Sequence, residues 1–217
     1  MDFKDIKGQE AAKRAVTVAL AGEHNVLLYG CYGTGKTMFL EAIKDSGLLP
    51  DTCEVIDNVD RLSTAKIREL EEKYFVATTK TCPCGYYRHL HKSCQCTPAK
   101  FSKFYTHLKE SGFLEWVDIF IELPPLRYYD MVREDKSETN STKYIVDYAN
   151  NISFYKSLDI HKEVNYLLEQ GLKELGWGMR EYTKIKKISR TVANLDGKEL
   201  IGAEHISEAI QYRMREL

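Results

Sequence analysis

One eight-residue stretch limits what this chain can fold into more than any other feature. Residues 30–37 read Gly-Cys-Tyr-Gly-Thr-Gly-Lys-Thr and fit the phosphate-loop pattern G-x-x-x-x-G-K-[ST]. The apolar run at residues 25–29 precedes the stretch as a buried strand would, and residues 38–44 have the composition of the helix that must follow. The pattern therefore predicts a strand, a tight loop and a helix that together bind nucleotide phosphates.

The residue types in this loop suit a nucleoside triphosphate with its magnesium ion. Glycines let the backbone turn its N–H groups inward around a phosphate. The lysine can neutralise the β- and γ-phosphate oxygens, and the final threonine hydroxyl can ligate Mg²⁺. The predicted residues for binding ATP and Mg²⁺ are Gly30, Gly33, Thr34, Gly35, Lys36 and Thr37.

Composition places the chain among ordinary globular proteins. Of its 217 residues, 43% are hydrophobic and 29% are charged, and the net charge of -1 gives no overall basic field. Any binding to nucleic acid would therefore have to use a local patch. No apolar run approaches the roughly 20 residues of a membrane span, and the N-terminus lacks the apolar core of a signal peptide. A cytoplasmic location with no membrane contact is expected.

Strand and helix patterns alternate through residues 1–125, which favours an α/β fold with a mostly parallel sheet. Further strands are predicted at residues 53–57, 74–78 and 117–123, and helices at 10–21, 63–73 and 98–111. Together with the strand before the phosphate loop, these make a predicted sheet of four strands. Residues 1–125 thus form the predicted nucleotide-binding core, with a cysteine-rich insertion at 82–96.

The remainder of the chain, residues 126–217, has no strand-like run and is predicted to be a separate helical region. Residues 133–141 are polar and indicate an exposed loop. Helices are predicted at residues 161–175, 179–195 and 203–215. The second of these carries a basic patch, which we interpret as a solvated helix face; the alternative is a contact with the phosphates of a nucleic acid. Its members are Lys184, Lys186, Lys187 and Arg190.

A pair of residues after the second predicted strand bears on hydrolysis. Asp57 stands where a strand-end acid could orient Mg²⁺. Asn58 follows where many ATPases have a glutamate, and an amide can hydrogen-bond a water molecule but cannot take its proton. The general base is therefore predicted to be missing, with Asp60 and Glu54 as the nearby carboxylates that could replace it.

Four cysteines lie within fifteen residues as two C-x-C pairs. In a reducing compartment, such a cluster indicates a metal site, and four thiolates suit a closed tetrahedral Zn²⁺ centre. The predicted ligands are Cys82, Cys84, Cys94 and Cys96. Unliganded thiols, a ligand set that includes His89 or His91, and an iron–sulfur cluster are the alternatives.

Several motifs together resemble the magnesium-chelatase-like AAA+ ATPases, in particular their competence-protein type. The resemblance rests on the phosphate loop, on the cysteine block with its flanking Gly-Tyr-Tyr and Thr-Pro-Ala, and on the opening residues 2–13 and the segment 188–197. The family implies an α/β ATPase core followed by a helical lid, with ATP and Mg²⁺ bound between them and subunits arranged in a ring. It also implies that Arg180 is the lid arginine that contacts the γ-phosphate.

The chain departs from that family at positions that serve hydrolysis. Members carry Asp-Glu where this chain has Asp57-Asn58, an asparagine where it has Lys80, and an arginine finger where Trp116 falls. The resemblance therefore implies an ATP-binding module whose hydrolysis is weak or depends on a partner. The alternatives are an active motor that remodels DNA or a protein complex, and a non-catalytic interaction protein stapled by zinc. A homo-oligomer and a DNA or protein partner follow from the resemblance alone.

Overall fold

A computed structural model of the chain describes residues 1–132, 141–150, 155–162, 164–174 and 176–213. Within them, four parallel strands form one sheet in the order β2-β3-β1-β4. The strands are β1 (Val26–Gly30), β2 (Glu54–Ile56), β3 (Phe75–Lys80) and β4 (Ile119–Glu122). The prediction of an α/β fold with a small, parallel sheet is confirmed.

Helices fill the connections between the strands and most of the described C-terminal part. They are α1 (Glu10–Ala21), α2 (Lys36–Asp45), α3 (Thr64–Arg68), α4 (Pro98–Glu110), α5 (Phe113–Trp116), α6 (Tyr128–Val132), α7 (Thr142–Asn150), α8 (Asn165–Glu174), α9 (Met179–Leu195) and α10 (Ala203–Gln211). Single 3₁₀ turns span Phe3–Asp5 and Val59–Arg61.

The sequence-based bounds differ from these in a few places. The helix predicted at 63–73 ends at Arg68, the one predicted at 161–175 begins at Asn165, and α5, α6 and α7 were not predicted. Of the predicted polar loop, residues 133–140 lie outside the described residues, as do residues 214 and 215 of the last predicted helix. The short helices are hard to predict because packing, and not their own propensity, stabilises elements of four to nine residues.

The two central strands of the sheet are buried on both faces. Every residue of β1 and of β3 is buried, as is usual where helices cover both sides of a parallel sheet. Alternate residues of β1 point to opposite faces: Val26 and Leu28 join one hydrophobic cluster, while Leu27 and Tyr29 join another.

The C-terminal helices pack on the same face of the sheet as α1. Ile145 of α7, Leu168 of α8 and Ile185 of α9 belong to the cluster that contains Val16 of α1 and Val26 of β1. Residues on both sides of the predicted domain boundary at 125 therefore share one core. No helix among the described residues is long and apolar enough to cross a membrane.

Candidate functional site

The carboxyl ends of three neighbouring strands meet at one edge of the sheet. β1 leads into the phosphate loop, β3 ends at Lys80, and β2 is followed by Asp57. Because β3 lies between β1 and β2, the end of β3 separates the loop from the carboxylate. Ligands of open parallel sheets bind at this edge, so these segments form the candidate nucleotide site.

The phosphate loop takes a backbone path that its glycines make possible. Gly33 and Gly35 have φ values of 79° and 89°, in the left-handed region that side chains disfavour. A Cβ atom on Gly30 would lie 2.6 Å from the Leu123 carbonyl oxygen and 2.7 Å from Thr34 Oγ1. The loop then passes directly into the first turn of α2 at Lys36, where free N–H groups and the helix dipole favour an anion.

Lys36 is folded into the loop. Its Nζ atom donates to the carbonyl oxygens of Gly30 at 2.8 Å and Cys31 at 2.6 Å, and the side chain is buried. Burial lowers the pKa of Lys36, while the nearby acids Asp57 and Asp60 counter that effect. An ammonium held by main-chain carbonyls in this way can exchange them for phosphate oxygens without moving far.

The two threonines of the loop have different environments. Thr34 is buried, and its hydroxyl donates to the Cys31 carbonyl at 3.1 Å. Its role here is to hold the loop's shape. Thr37, in the first turn of α2, is exposed, so its hydroxyl is accessible to a metal ion.

Asp57 lies beyond β3 from the loop and is held by a neighbouring strand. Thr78 Oγ1 donates to Asp57 Oδ1 at 2.6 Å, and the main-chain N–H of Asn58 donates to the same Thr78 oxygen at 2.8 Å. Asn58 itself has a φ of 57°, a left-handed conformation that asparagine tolerates better than most residues. This arrangement fixes the Asp57 carboxylate and leaves the side chain exposed.

A buried ion pair occupies the middle of the site. Lys80 Nζ lies 3.4 Å from Asp60 Oδ2, with the two side chains only 8% and 5% exposed. Lys80 is paired in register with Gly30, the first residue of the loop. Its positive charge contributes to the lowered pKa of Lys36. Sequence analysis identified Lys80 only as a departure from a family pattern, because the register that places it beside the loop is a property of the folded sheet.

Arg180 lies at the other end of the sheet. Its guanidinium pairs with Glu115 of α5, which immediately precedes β4, whereas the phosphate loop follows the carboxyl end of β1. Since β1 is five residues long, the two ends are separated by roughly 13 Å or more. Because the first turn of α9 packs at the amino edge, the Arg180 side chain lies away from the phosphate loop of its own chain, and its contact with a γ-phosphate stays a prediction.

The basic patch on α9 was wrongly interpreted as a solvated face. Lys184 Nζ donates to the carbonyl oxygens of Glu115 and Val117 and pairs with Asp118 at 2.9 Å. Arg190 is buried and donates to main-chain carbonyls, including that of Glu199 at 2.6 Å. Lys184 thus fastens α9 to the segment before β4, whereas Arg190 holds the turn that follows α9.

The four clustered cysteines come together as predicted. Their sulfur atoms all lie within 4.8 Å of one another, and the pairs Cys82–Cys84, Cys84–Cys94 and Cys82–Cys94 are 3.4, 3.6 and 3.7 Å apart. Tetrahedral zinc with Zn–S bonds of about 2.3 Å requires sulfur separations of about 3.8 Å. The thiols therefore fit a four-coordinate metal ion.

Neither histidine of the segment belongs to this group. His89 Nδ1 accepts hydrogen bonds from the main-chain N–H groups of His91 and Lys92 at 3.0 and 3.2 Å.

Burial raises the pKa of Cys82 to about 12. Burial acts in the same direction on Cys84, but main-chain N–H groups at its sulfur hold its pKa at about 6. The lowered pKa favours the thiolate form of Cys84, which is the form that binds a metal ion.

Comparison with known families covers most of the chain. The family described as magnesium chelatase, subunit ChlI, matches residues 2–74 and 58–131. The family described as the C-terminal part of magnesium chelatase subunit ChlI matches residues 145–213. The matched residues include the phosphate loop, the strand-end acid, the cysteine cluster and α9.

Individual relatives match nearly the whole chain only at low sequence identity. Competence protein ComM of Haemophilus influenzae is 25% identical over 308 residues, which covers 98% of this chain and 60% of that protein. The protein YifB of Escherichia coli is 23% identical with the same coverage. A protein of Mycobacterium tuberculosis is 47% identical over 49 residues, 23% of this chain.

The chain spans about 60% of the length of ComM and YifB. Since the ComM alignment of 308 residues exceeds the 217 residues of this chain, ComM carries internal segments that this chain lacks. This agrees with the small four-stranded sheet. On the extent of the family matches, the chain belongs to the magnesium chelatase family, which has the AAA+ phosphate-loop fold.

Proposed function

We propose that the chain is an AAA+-type module that binds ATP with Mg²⁺ and hydrolyses it weakly, or only together with a partner. The observation that carries this proposal is the geometry of the phosphate loop. Gly33 and Gly35 adopt the left-handed backbone that the loop needs, and the buried Lys36 ammonium lies inside it. Membership of the magnesium chelatase family supports the same ligand.

Lys36, Thr37 and Asp57 have positions that permit their predicted roles. The loop N–H groups and Lys36 hold the phosphates, and the exposed Thr37 hydroxyl ligates Mg²⁺. Asp57, fixed by Thr78, orients the metal ion from the neighbouring part of the edge. When bound, Mg²⁺ supplies charge neutralisation for the phosphates.

Weak hydrolysis follows from the identity of the residue next to Asp57, which is Asn58. Asn58 has no group that can accept a proton from water at neutral pH. The nearest buried carboxylate, Asp60, is engaged by the Thr79 hydroxyl at 3.1 Å and by Lys80. Loss of a catalytic base costs orders of magnitude in rate, whereas binding to the loop does not need that base.

Dependence on a second subunit is supported by the position of Arg180. Since this side chain lies at the amino edge beside Glu115, it can approach a γ-phosphate only if that nucleotide belongs to another copy of the chain. We therefore propose that the module works as a homo-oligomer. A DNA or protein substrate for such an assembly is proposed on the relationship to ComM, whose name describes a competence protein.

The cysteine cluster is proposed to hold one structural Zn²⁺. Four thiolates leave no open coordination position for a substrate. The ion would therefore stabilise the fold of residues 82–96 and take no part in catalysis. Protein purified without chelator should then contain one zinc per chain, and Cys84→Ser should lower that content. Less than half an equivalent of zinc in the wild type would remove the metal from the proposal.

Isothermal titration with Mg-ADP tests nucleotide binding directly, since a diphosphate needs no hydrolytic parts. We expect saturable binding by the wild type and at least tenfold weaker binding by Lys36→Ala, because the substitution removes a charge-assisted contact. Lys44→Ala, in the last turn of α2 and away from the loop, is the matched control and should bind as the wild type does. Absence of binding to the wild type would refute the proposal.

A further inference from the structure

The cysteine-rich segment touches the phosphate loop at one point. Tyr32, two residues into the loop, donates its main-chain N–H to the carbonyl oxygen of Gly85 at 2.8 Å. Gly85 directly follows Cys84, and its own N–H donates to the Cys82 carbonyl at 2.9 Å. One hydrogen bond thus joins the turn that carries two predicted metal ligands to the loop that is proposed to bind phosphate.

The Tyr32 ring also packs closely against Gly85. A Cβ atom on Gly85 would lie 2.3 Å from Tyr32 Cε2 and 2.4 Å from Cδ2, so the ring lies directly on the glycine. The φ of Gly85 is +75°, a value that favours glycine on conformational grounds as well. Tyr86 extends the contact, with its ring centroid 5.3 Å from that of Tyr32. Any side chain at position 85 would displace the loop's tyrosine.

The turn has no regular secondary structure, and the thiols organise it together with a few hydrogen bonds, such as that from Thr81 Oγ1 to the Tyr87 carbonyl at 3.2 Å. The described residues between Lys80 and Pro98 contain no helix or strand. Cys94 and Cys96 are only partly buried, and their neighbours 91–93 are exposed. Main-chain N–H groups of Cys84 and Tyr87 donate to the sulfurs of Cys96 and Cys82 at 3.4 and 3.3 Å. A bound metal ion would therefore determine how firmly the Gly85 carbonyl is held.

We propose that metal occupancy of the four-cysteine cluster sets the affinity of the phosphate loop for nucleotide, and that the Tyr32–Gly85 junction transmits the effect. The metal fixes the turn at Cys82–Gly85, the turn fixes Tyr32, and Tyr32 holds the loop backbone in the conformation that binds phosphates. Linkage makes this reciprocal, so nucleotide must raise the affinity for zinc by the same factor. The inference rests on the proposed function, because it concerns the affinity of that site.

The experiment measures the dissociation constant for Mg-ADP with zinc-loaded and zinc-depleted protein, the latter prepared by chelation and dialysis. We expect affinity to fall about tenfold on depletion of the wild type, which is within the usual range of coupling between sites. In Tyr32→Ala, which removes the ring from Gly85, the loaded and depleted forms should differ less than threefold. Tyr87→Ala is the control, because Tyr87 packs on Phe101 and its ring does not contact Tyr32.

If the depleted protein unfolds, the coupling is measured in the other direction. Zinc affinity is determined by competition with a chromophoric chelator, with and without saturating Mg-ADP, for wild type and Tyr32→Ala. A nucleotide-induced gain in zinc affinity that is present in the wild type and lost in Tyr32→Ala supports the inference. An equal gain in both variants would show that the coupling runs through global folding, which overturns it.

The possible failures are distinguishable. If zinc-loaded wild type does not bind Mg-ADP, the proposed nucleotide function is wrong and the coupling with it. If the wild type binds Mg-ADP equally well with and without zinc, the nucleotide function stands and the coupling alone is refuted.

Discussion

At the scale of single residues, the site contains two buried ammonium groups. The Lys36 ammonium lies inside the phosphate loop. Lys80 lies opposite Gly30 because β1 and β3 pair in parallel. Its partner Asp60 is twenty positions away in the chain and comes close through the packing of a 3₁₀ turn on β3. Pairings of this kind depend on sheet register, which sequence patterns do not specify.

Lys80 should make the site bind a nucleoside triphosphate more tightly than a diphosphate. Its strand, β3, lies between the loop and Asp57, and the terminal phosphate would extend into this region. We expect Lys80→Met to weaken binding of a slowly hydrolysed Mg-ATP analogue about tenfold. The affinity for Mg-ADP should change less than threefold.

Lys73→Met is the control for this comparison, since Lys73 forms an exposed pair with Glu54 outside the site. Because Lys80→Met leaves Asp60 buried without its counterion, the double variant Lys80→Met/Asp60→Asn should be measured too. An unchanged preference for the triphosphate in both variants would exclude a role for Lys80.

His24 gives the fold a specific acid sensitivity. It is 7% exposed, its Nε2 lies 2.8 Å from Thr191 Oγ1, and burial lowers its pKa to about 4 from the ordinary 6.5. Between those values the unfolded chain binds a proton that the folded chain does not. The free energy of unfolding should therefore fall by up to about 3 kcal/mol as the pH drops through that window.

Urea unfolding at pH 6.5 and pH 4.5 measures this loss. His24→Gln keeps a polar group near Thr191 but cannot titrate in this range, so its stability should vary less with pH than that of the wild type. The same pH dependence in both proteins would show that other groups are responsible.

At the scale of elements, the sequence was informative where the signals were local and long. The strand before the phosphate loop, the helix after it and the 17-residue α9 appear as predicted, the last with identical bounds at Met179 and Leu195. The four-residue α5 and the five-residue α6 were not predicted, since such short helices are stabilised by the surfaces they contact. The cysteine spacing predicted which residues would cluster, but not that Gly85 beside them would contact Tyr32.

The start of α4 is defined by its own residues and anchors the end of the cysteine-rich segment. Thr97 immediately follows Cys96 and its side chain accepts the Lys100 N–H at 3.4 Å, with Pro98 in the first turn. We expect Thr97→Ala to lower the free energy of unfolding by about 1 kcal/mol, whereas Thr97→Ser should cost little. Chemical denaturation of the three proteins provides the measurement. Equal losses in the alanine and serine variants would contradict a capping role.

At the scale of the whole molecule, α9 packs at the amino edge of the sheet, away from the nucleotide edge. Arg14 of α1 connects the helical C-terminal part to the core, since its guanidinium contacts Glu208 of α10 at 2.9 Å and Asp196 at 3.4 Å. Composition and periodicity predicted that this part would be helical. They could not predict the face on which it packs, because that depends on the complementarity of two buried surfaces. Arg180 is consequently carried to the amino edge.

Arg180→Ala should leave nucleotide binding by the isolated subunit unchanged. We expect its dissociation constant for Mg-ADP and for a Mg-ATP analogue to lie within twofold of the wild type at concentrations where the chain is monomeric. Sedimentation of the same samples establishes the oligomeric state. A tenfold loss in the monomer would mean that Arg180 reaches the nucleotide of its own chain, contrary to the packing described above.

Phosphate release from Mg-ATP tests the central claim most directly, namely a site that holds nucleotide but lacks its base. Wild type should be measured beside Lys36→Ala, Asn58→Glu and Asn58→Asp. The aspartate variant is included because the left-handed backbone at position 58 makes glutamate costlier by roughly 1 kcal/mol. We predict weak or no turnover by the wild type and turnover about tenfold faster or more when a carboxylate replaces Asn58. Wild-type turnover that Lys36→Ala abolishes and that a carboxylate at position 58 does not raise would contradict the account and identify a competent ATPase.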